Sequence, residues 1–256
     1  MIDMEKIKLY YSPREQQFED FLLKEYLQYQ ILHIIFSSAF ADSLSFLWWT
    51  AIRLVYDSTR FSEDLDFDNF WLSEKDFANL SEYIKKELEL LGFHVEIKNI
   101  YKWAYRYYIK LPKILQEIWF LHFEEEKILI QIDTVKQDYT YESANKILDK
   151  FDIYKMIKVC PLDIILAKKI HALIERKRIK WRDFFDIVYL YRFITPNFDY
   201  LQYKIWIKNS YELKNKLNNF IEDVDLHKAA QDVEPFLINN DEINRVLHFK
   251  EFIDTI

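Results

Sequence analysis

The residues best suited to chemistry in this sequence are carboxylates. In Arg60-Phe61-Ser62-Glu63-Asp64-Leu65-Asp66-Phe67-Asp68, Asp64 and Asp66 are separated by a single leucine. If Asp64–Asp68 is a strand, Asp64 and Asp66 point to one face, and Leu65 and Phe67 to the other. Carboxylates held that close repel each other, and a bound cation offsets the repulsion. Mg²⁺ suits the position, because it takes carboxylate oxygens, keeps several waters and bridges to substrate phosphates. A third carboxylate, Asp133, ends the run Ile128-Leu129-Ile130-Gln131-Ile132-Asp133, whose isoleucines share one face while Leu129, Gln131 and Asp133 share the other. Two carboxylates on one strand and a third on its neighbour suit two-metal phosphoryl transfer. The same residues also fit a solvated acidic turn and an edge-strand aspartate.

The second chemical feature is basic. Lys168, Lys169, Arg176, Lys177, Arg178, Lys180 and Arg182 lie close together, with Glu175 the only acid among them. The chain as a whole carries 35 − 42 = −7 charges. That balance argues against coating nucleic acid or membrane by bulk charge, so a local basic block stands out as a place for a triphosphate or an RNA backbone. It also fits a helix C-terminus facing solvent.

The elements that must position these groups follow from periodicity. Ser12-Pro13 reads as an N-cap and first helical residue, and Phe18, Phe21, Leu22, Tyr26 and Ile31 continue a helix to about Phe36. Ser73-x-x-Asp76 is a capping box, and Gly92 ends the helix it opens. Period 2 then marks strands at His94–Ile100, Tyr105–Leu111 and Lys127–Asp133. From Pro161 the helical period returns, at Asp163–Arg176 and Arg182–Phe193 first. The expected fold is α+β: a mixed sheet with flanking helices over residues 1–150, then an all-α domain over 151–256, with no flexible linker at the join. Half the residues are hydrophobic and 30% charged, as in a globular protein. The lone Cys160 offers no internal disulfide. No run resembles a signal peptide or spans a bilayer, so a cytoplasmic protein is expected.

Taken together, the motifs resemble the AbiEii-type nucleotidyltransferase toxins. Trp48-Trp49-Thr50-Ala51-Ile52-Arg53-Leu54 followed by Arg60-Phe61-Ser62-Glu63-Asp64-Leu65-Asp66-Phe67 is similar to that family's G-G-T-A-x-R-L and R-F-S-x-D-L-D-F. Lys168-Lys169-Ile170-His171-Ala172-Leu173 through Arg176 to Arg182-Asp183-Phe184-Phe185-Asp186 resembles its K-x-x-A-L…R…R-D-F-Y-D-L block. The resemblance implies a polymerase-β-like nucleotidyltransferase core followed by a helical domain. It implies that Asp64 and Asp66 hold Mg²⁺, with Asp133 as third ligand or base, and that Ser62 supports the metal site or a phosphate. Lys168 or Lys169 would bind the triphosphate, and Asp183 or Asp186 would complete the site. Residues 48–50, Arg53, Arg60, Arg182 and Asp186 would lie along the bound nucleotide. The implied partners are an NTP, an RNA acceptor with tRNA the leading candidate, and a cognate antitoxin. A catalytically inactive member of the fold, holding RNA or a partner protein, is the alternative.

One departure is specific. Trp48-Trp49 occupies the Gly-Gly position of the family, where a side chain would block the approach of backbone to phosphate. Trp119 and Trp181 also stand where glycine is common in the family, and Trp71 and Trp103 fall in turn-like segments. The composition agrees: the chain has seven tryptophans and one glycine, where average usage of about 7% gives roughly 18 glycines. Glycine codons read as tryptophan would bear on both counts, bringing glycine to eight, still low; the competing accounts are a degenerate toxin that has lost its phosphate turn, or tryptophans tolerated by altered packing.

Overall fold

A computed structural model describes residues 3–101, 105–112, 114, 127–176, 180–222 and 224–256. The chain forms two compact units, Met1–Val159 and Cys160–Ile256. Trp103, Trp119, Lys177 and Arg178 lie outside the described residues.

The first unit is built on a seven-stranded sheet. Its strands are β1 (Leu44–Leu47), β2 (Leu65–Asn69), β3 (Glu96–Tyr101), β4 (Tyr105–Pro112), β5 (Lys127–Lys136), β6 (Ala144–Lys150) and β7 (Ile153–Val159). The order is β3-β4-β5-β2-β1-β7-β6. Pairs β2–β5 and β1–β7 are parallel and the others antiparallel. The sheet therefore continues past residue 150 through the β6–β7 hairpin.

Helices α1 (Met4–Lys8), α2 (Glu19–Ser37), α3 (Trp48–Tyr56) and α4 (Glu74–Leu90) complete this unit. One sheet face is apolar and packs on α2 and α4. Phe67 meets Phe36 with ring centroids 6.2 Å apart, and Tyr107 meets Phe77 at 4.5 Å. The partners on β4 and β5 are Ile109, Ile130 and Ile132, all buried. Strand alternation then forces the intervening residues, Asp66, Arg106, Tyr108, Gln131 and Asp133, onto the opposite face.

Two helix ends follow their sequence signals. Ser73 and Asp76 form both halves of the capping box at the start of α4. Gly92, at φ +91°, turns the chain just beyond its end. The helix expected from Ser12-Pro13 starts later, at Glu19. Ser12 and Glu15 do bond reciprocally, but the Glu15 carboxylate also reaches Arg53 on α3. A short 3₁₀ turn, Glu15–Gln17, lies there instead.

The second unit is all α. Its helices are α5 (Leu162–Glu175), α6 (Arg182–Tyr191), α7 (Phe198–Ile205), α8 (Ser210–Ile221), α9 (Leu226–Val233), α10 (Asn244–Leu247) and α11 (Phe249–Asp254). Phe184, Phe185, Leu213, Leu217 and Phe249 are fully buried in it. Among the described residues, no helix is long and apolar enough to cross a membrane.

Candidate active site

The acidic residues are placed by register. Asp66 lies directly between Leu47 on β1 and Asp133 on β5, and Asp133 lies beside Arg106 on β4. Asp66 and Asp133 are thus neighbours on parallel strands, about 4.8 Å apart in backbone. Asp133 is not at the end of its strand, because β5 continues to Lys136. Asp64 stands one residue before β2, and its carbonyl accepts a hydrogen bond from the Thr50 hydroxyl. Thr50 Oγ1 also lies 2.7 Å from Ser62 Oγ. Gln28 on α2 donates to the carbonyls of Ser62 and Glu63 at 3.0 and 2.9 Å. The segment leading into the acidic strand is therefore pinned from two sides.

Sequence reasoning passed over several residues of this face. Asp68 continues the row of Asp64 and Asp66, is 1% exposed, and accepts a hydrogen bond from Tyr141. The signal was present, since Asp68 extends the two-residue spacing. Arg106 binds Asp133 with both arms of its guanidinium, one of them at 2.7 Å to Oδ2. Gln131 Nε2 donates to the same oxygen at 2.9 Å. The Asp133 carboxylate raises the Arg106 pKa.

The turn at the start of α3 holds the departure from the family pattern. Trp48 has φ +61°, in the left-handed region. A bulky L-residue there is a conformational outlier, because Cβ crowds the backbone. Trp49 is helical and buried; its indole N–H donates to the Arg60 carbonyl at 2.9 Å, and the Arg60 guanidinium lies 4.4 Å from its ring. Arg60 is 2% exposed.

Arg53 has partners other than those expected for a nucleotide contact. Its Nε binds Glu25 at 2.9 Å, one terminal nitrogen binds Glu15 at 2.7 Å, and the other donates to the Ser58 carbonyl. Lys150 adds a contact to Glu25 at 3.1 Å and lies 3.6 Å over the Tyr11 ring. Burial opposes the Arg53 charge, but Glu25 and Glu15 more than offset it, so its pKa is raised. Arg53 thus anchors α3 to α2, which makes it a positioning residue for the turn.

This network has a pH consequence. Burial pushes the Glu15 carboxyl up, and hydrogen bonds from Arg53 and Ser12 pull it down further, leaving its pKa lowered. A depressed carboxylate contributes stability that is present above its unfolded pKa of about 4.3 and lost as pH falls through the folded value. Glu15→Gln is expected to lower the Tm at pH 7 and to flatten its fall below about pH 4.3. Thermal melts across that range check this; parallel curves for the two proteins would count against the network.

In the helical unit, α5 carries Lys168, Lys169 and His171, and α6 carries Arg182, Asp183 and Asp186. Lys169 Nζ lies 2.7 Å from Asp183 and 2.6 Å from Asp186. Arg176 binds the other Asp183 oxygen at 2.8 Å. Asp183 and Asp186 are one helical turn apart on the buried face of α6, at 1% and 0% exposure. Lys168 is also buried, 5.8 Å from the Tyr200 ring centre. The Arg182 guanidinium lies 4.8 Å over Phe236. Among the described residues of the basic block, Lys168 and Lys169 are interior, Arg176 is ion-paired and half-buried, and Lys180 is exposed.

The acidic face can be tested for Mg²⁺ by its donor chemistry. Among the described residues, no three His, Cys, Asp or Glu side chains are gathered closely enough to hold a metal by themselves. Mg²⁺ does not require that, since one or two carboxylates plus waters and substrate phosphates complete its shell. Asp64 and Asp66 supply such a pair. Asp133 accepts three bonds from Arg106 and Gln131, of about four that a carboxylate can take. The residues fit the group.

A mixed sheet with an acidic pair on its open face and a turn-and-helix beside it defines a nucleotidyltransferase fold. The family model "Nucleotidyl transferase AbiEii toxin, Type IV TA system" matches residues 50–242, and the chain belongs to that family of nucleotidyltransferase toxins. Its fold is similar to that of the MenT4 nucleotidyltransferase toxin from Mycobacterium tuberculosis, with TM-score 0.62 and 12% identity over 100% of this chain and 91% of that one. It is also similar to JHP933 from Helicobacter pylori, with TM-score 0.58 and 19% identity over 93% and 91% of the two chains. No curated protein sequence matches the chain.

Proposed function

We propose that this toxin transfers a nucleotide from an NTP to an RNA acceptor, tRNA first among them, in a Mg²⁺-dependent reaction held in check by a cognate antitoxin in the cytoplasm. The observation that carries this is the register that sets Asp66 beside Asp133, with Asp64 two residues before Asp66 in the sequence. Asp64 and Asp66 would hold Mg²⁺, with Asp133 as third oxygen ligand. Bound there, the ion would neutralise charge on the attacking and leaving oxygens.

In the reaction, an acceptor hydroxyl oxygen bonds to the α-phosphorus as the bond to the β-phosphate oxygen breaks. Pyrophosphate leaves, and the hydroxyl proton passes to a base. Asp133 is the expected base, and its carboxylate also accepts hydrogen bonds from Arg106 and Gln131. Arg106 holds the Asp133 carboxylate in place. Ser62 and Thr50 fix the backbone that carries Asp64. In the helical unit, Lys168 and Lys169 are the candidate triphosphate-binding residues, and Asp183 and Asp186 hold Lys169 in place.

The open face of β3–β5 supports an RNA acceptor. Lys98, Tyr108 and Gln131 form one row across the strands, adjacent to the row Ile100, Arg106, Asp133 and Asp66. Lys98 is exposed, and Tyr108 and Lys110 are half-buried. Cations beside an aromatic ring suit a single-stranded end, with phosphate on lysine and base on tyrosine. Tyr108→Ala combined with Lys98→Ala is expected to raise the KM for tRNA about tenfold or more, one stacked base being worth about 1–3 kcal/mol. The KM for NTP should stay fixed; an equal rise in both would remove this surface from the reading.

The main test incubates the Trp48→Gly, Trp49→Gly protein with Mg²⁺, total tRNA and each labelled NTP. Label on RNA is expected with at least one NTP and none without Mg²⁺. Absence of transfer from all four would overturn the proposal.

A further inference from the structure

Five non-glycine residues among those described have positive φ: Trp48, Asp57, Phe151, Asp152 and Trp206. Such residues amount to a few per cent of non-glycine positions in general, and aspartate is one of the types that tolerate them. Asp57 and Asp152 need no further account. Phe151 is bulky, but it is one of the two residues of the β6–β7 turn, where both must be left-handed. It is also buried, with its ring 4.9–5.3 Å from those of Tyr10, Tyr26 and Tyr29. Its packing compensates for its backbone.

The two tryptophans are different. Five of the seven tryptophans lie among the described residues, and two of those five are left-handed. Trp206 caps α7 at φ +63°, the place where a helix end selects glycine. It is 80% exposed, so burial returns nothing for the strained backbone. Trp48 opens α3 at φ +61°, in the turn that must bring backbone N–H groups toward a phosphate. The lone glycine of the chain, Gly92, sits in the same kind of post-helix position as Trp206.

We infer that the residue the cell inserts at positions 48 and 206 is glycine, both codons being UGA, which some bacterial genetic codes read as glycine and others as tryptophan. A single cause then explains two left-handed tryptophans in unrelated elements, and it shifts a composition of one glycine and seven tryptophans toward ordinary usage. It also returns to the α3 turn the open backbone that the nucleotidyltransferase reading needs. The two positions are independent of that reading at Trp206, which lies in the helical unit.

The direct test is the gene sequence together with peptide masses of the protein isolated from its own cells. Glycine at 48 and 206 is the expected result; UGG codons, or tryptophan in either peptide, would overturn the inference. A second test uses recombinant protein carrying tryptophan at all seven positions. Trp206→Gly is expected to raise its Tm by about 2–4 °C, because relief of one left-handed residue is worth about 1 kcal/mol. An unchanged or lower Tm would remove the strain argument. Neither readout measures nucleotide transfer, so failure here is distinct from failure of the proposed activity.

Discussion

Asp66→Asn is expected to abolish nucleotide transfer while raising the Tm of the metal-free protein. The loss should be at least about 10²–10³-fold, the range found for removing one group that stabilises transition-state charge. The gain has an electrostatic origin. Asp66 is flanked in sequence by Asp64 and Asp68 and in register by Asp133, and removing one of several neighbouring carboxylates lowers the repulsion among them. The two effects together define a site built for function against stability. Mg²⁺ with a nonhydrolysable NTP should raise the Tm of the parent protein and leave that of Asp66→Asn unmoved. Each measurement is best made on the Trp48→Gly background, so that a blocked turn does not hide the loss. A variant that loses Tm and keeps activity would show that Asp66 is a structural carboxylate.

How far the sequence discloses this site depends on which physical constraint acts at each residue. The acidic strand was legible because period 2 is a geometric necessity: apolar Leu65 and Phe67 bury one face, and Asp64, Asp66 and Asp68 must occupy the other. The capping box at Ser73 was legible because it is a local hydrogen-bond pattern. β1 was hidden because Leu44–Leu47 is buried throughout and runs straight into a helix, so no period distinguishes it. The β6–β7 hairpin was hidden for another reason. Its turn is Phe151-Asp152 rather than Asn-Gly, and what permits phenylalanine there is a cluster of tyrosines from α2 and from the segment between α1 and α2, far away in sequence. Arg53 shows the limit of motif reading. Its place in the R-L motif suggested a ligand contact, whereas Glu15 and Glu25 claim its guanidinium. The competition between a substrate and two buried carboxylates is a tertiary fact, and spacing does not reveal it.

The buried lysine of the helical unit offers the second large effect. Lys169→Met is expected to destabilise the protein by about 3–5 kcal/mol, because it removes the cation from a buried cluster of ion pairs. Asp183 and Asp186 are 1% and 0% exposed, and after the substitution Asp183 retains Arg176 while Asp186 loses its ion pair with Lys169. Against a total stability of about 5–15 kcal/mol, that is a large share. Urea unfolding measures it directly, and adding Asp186→Asn to Lys169→Met should recover part of the loss, since it removes one of the buried charges. The same pair separates two roles for Lys169. If the lysine only neutralises the two aspartates, Lys169→Met, Asp186→Asn should transfer nucleotide with an unchanged KM for NTP once its fold is restored. If it also binds triphosphate, the rescued fold should still show a raised KM for NTP. The two outcomes differ because a phosphate reaching Lys169 must compete with the two carboxylates that already hold its ammonium.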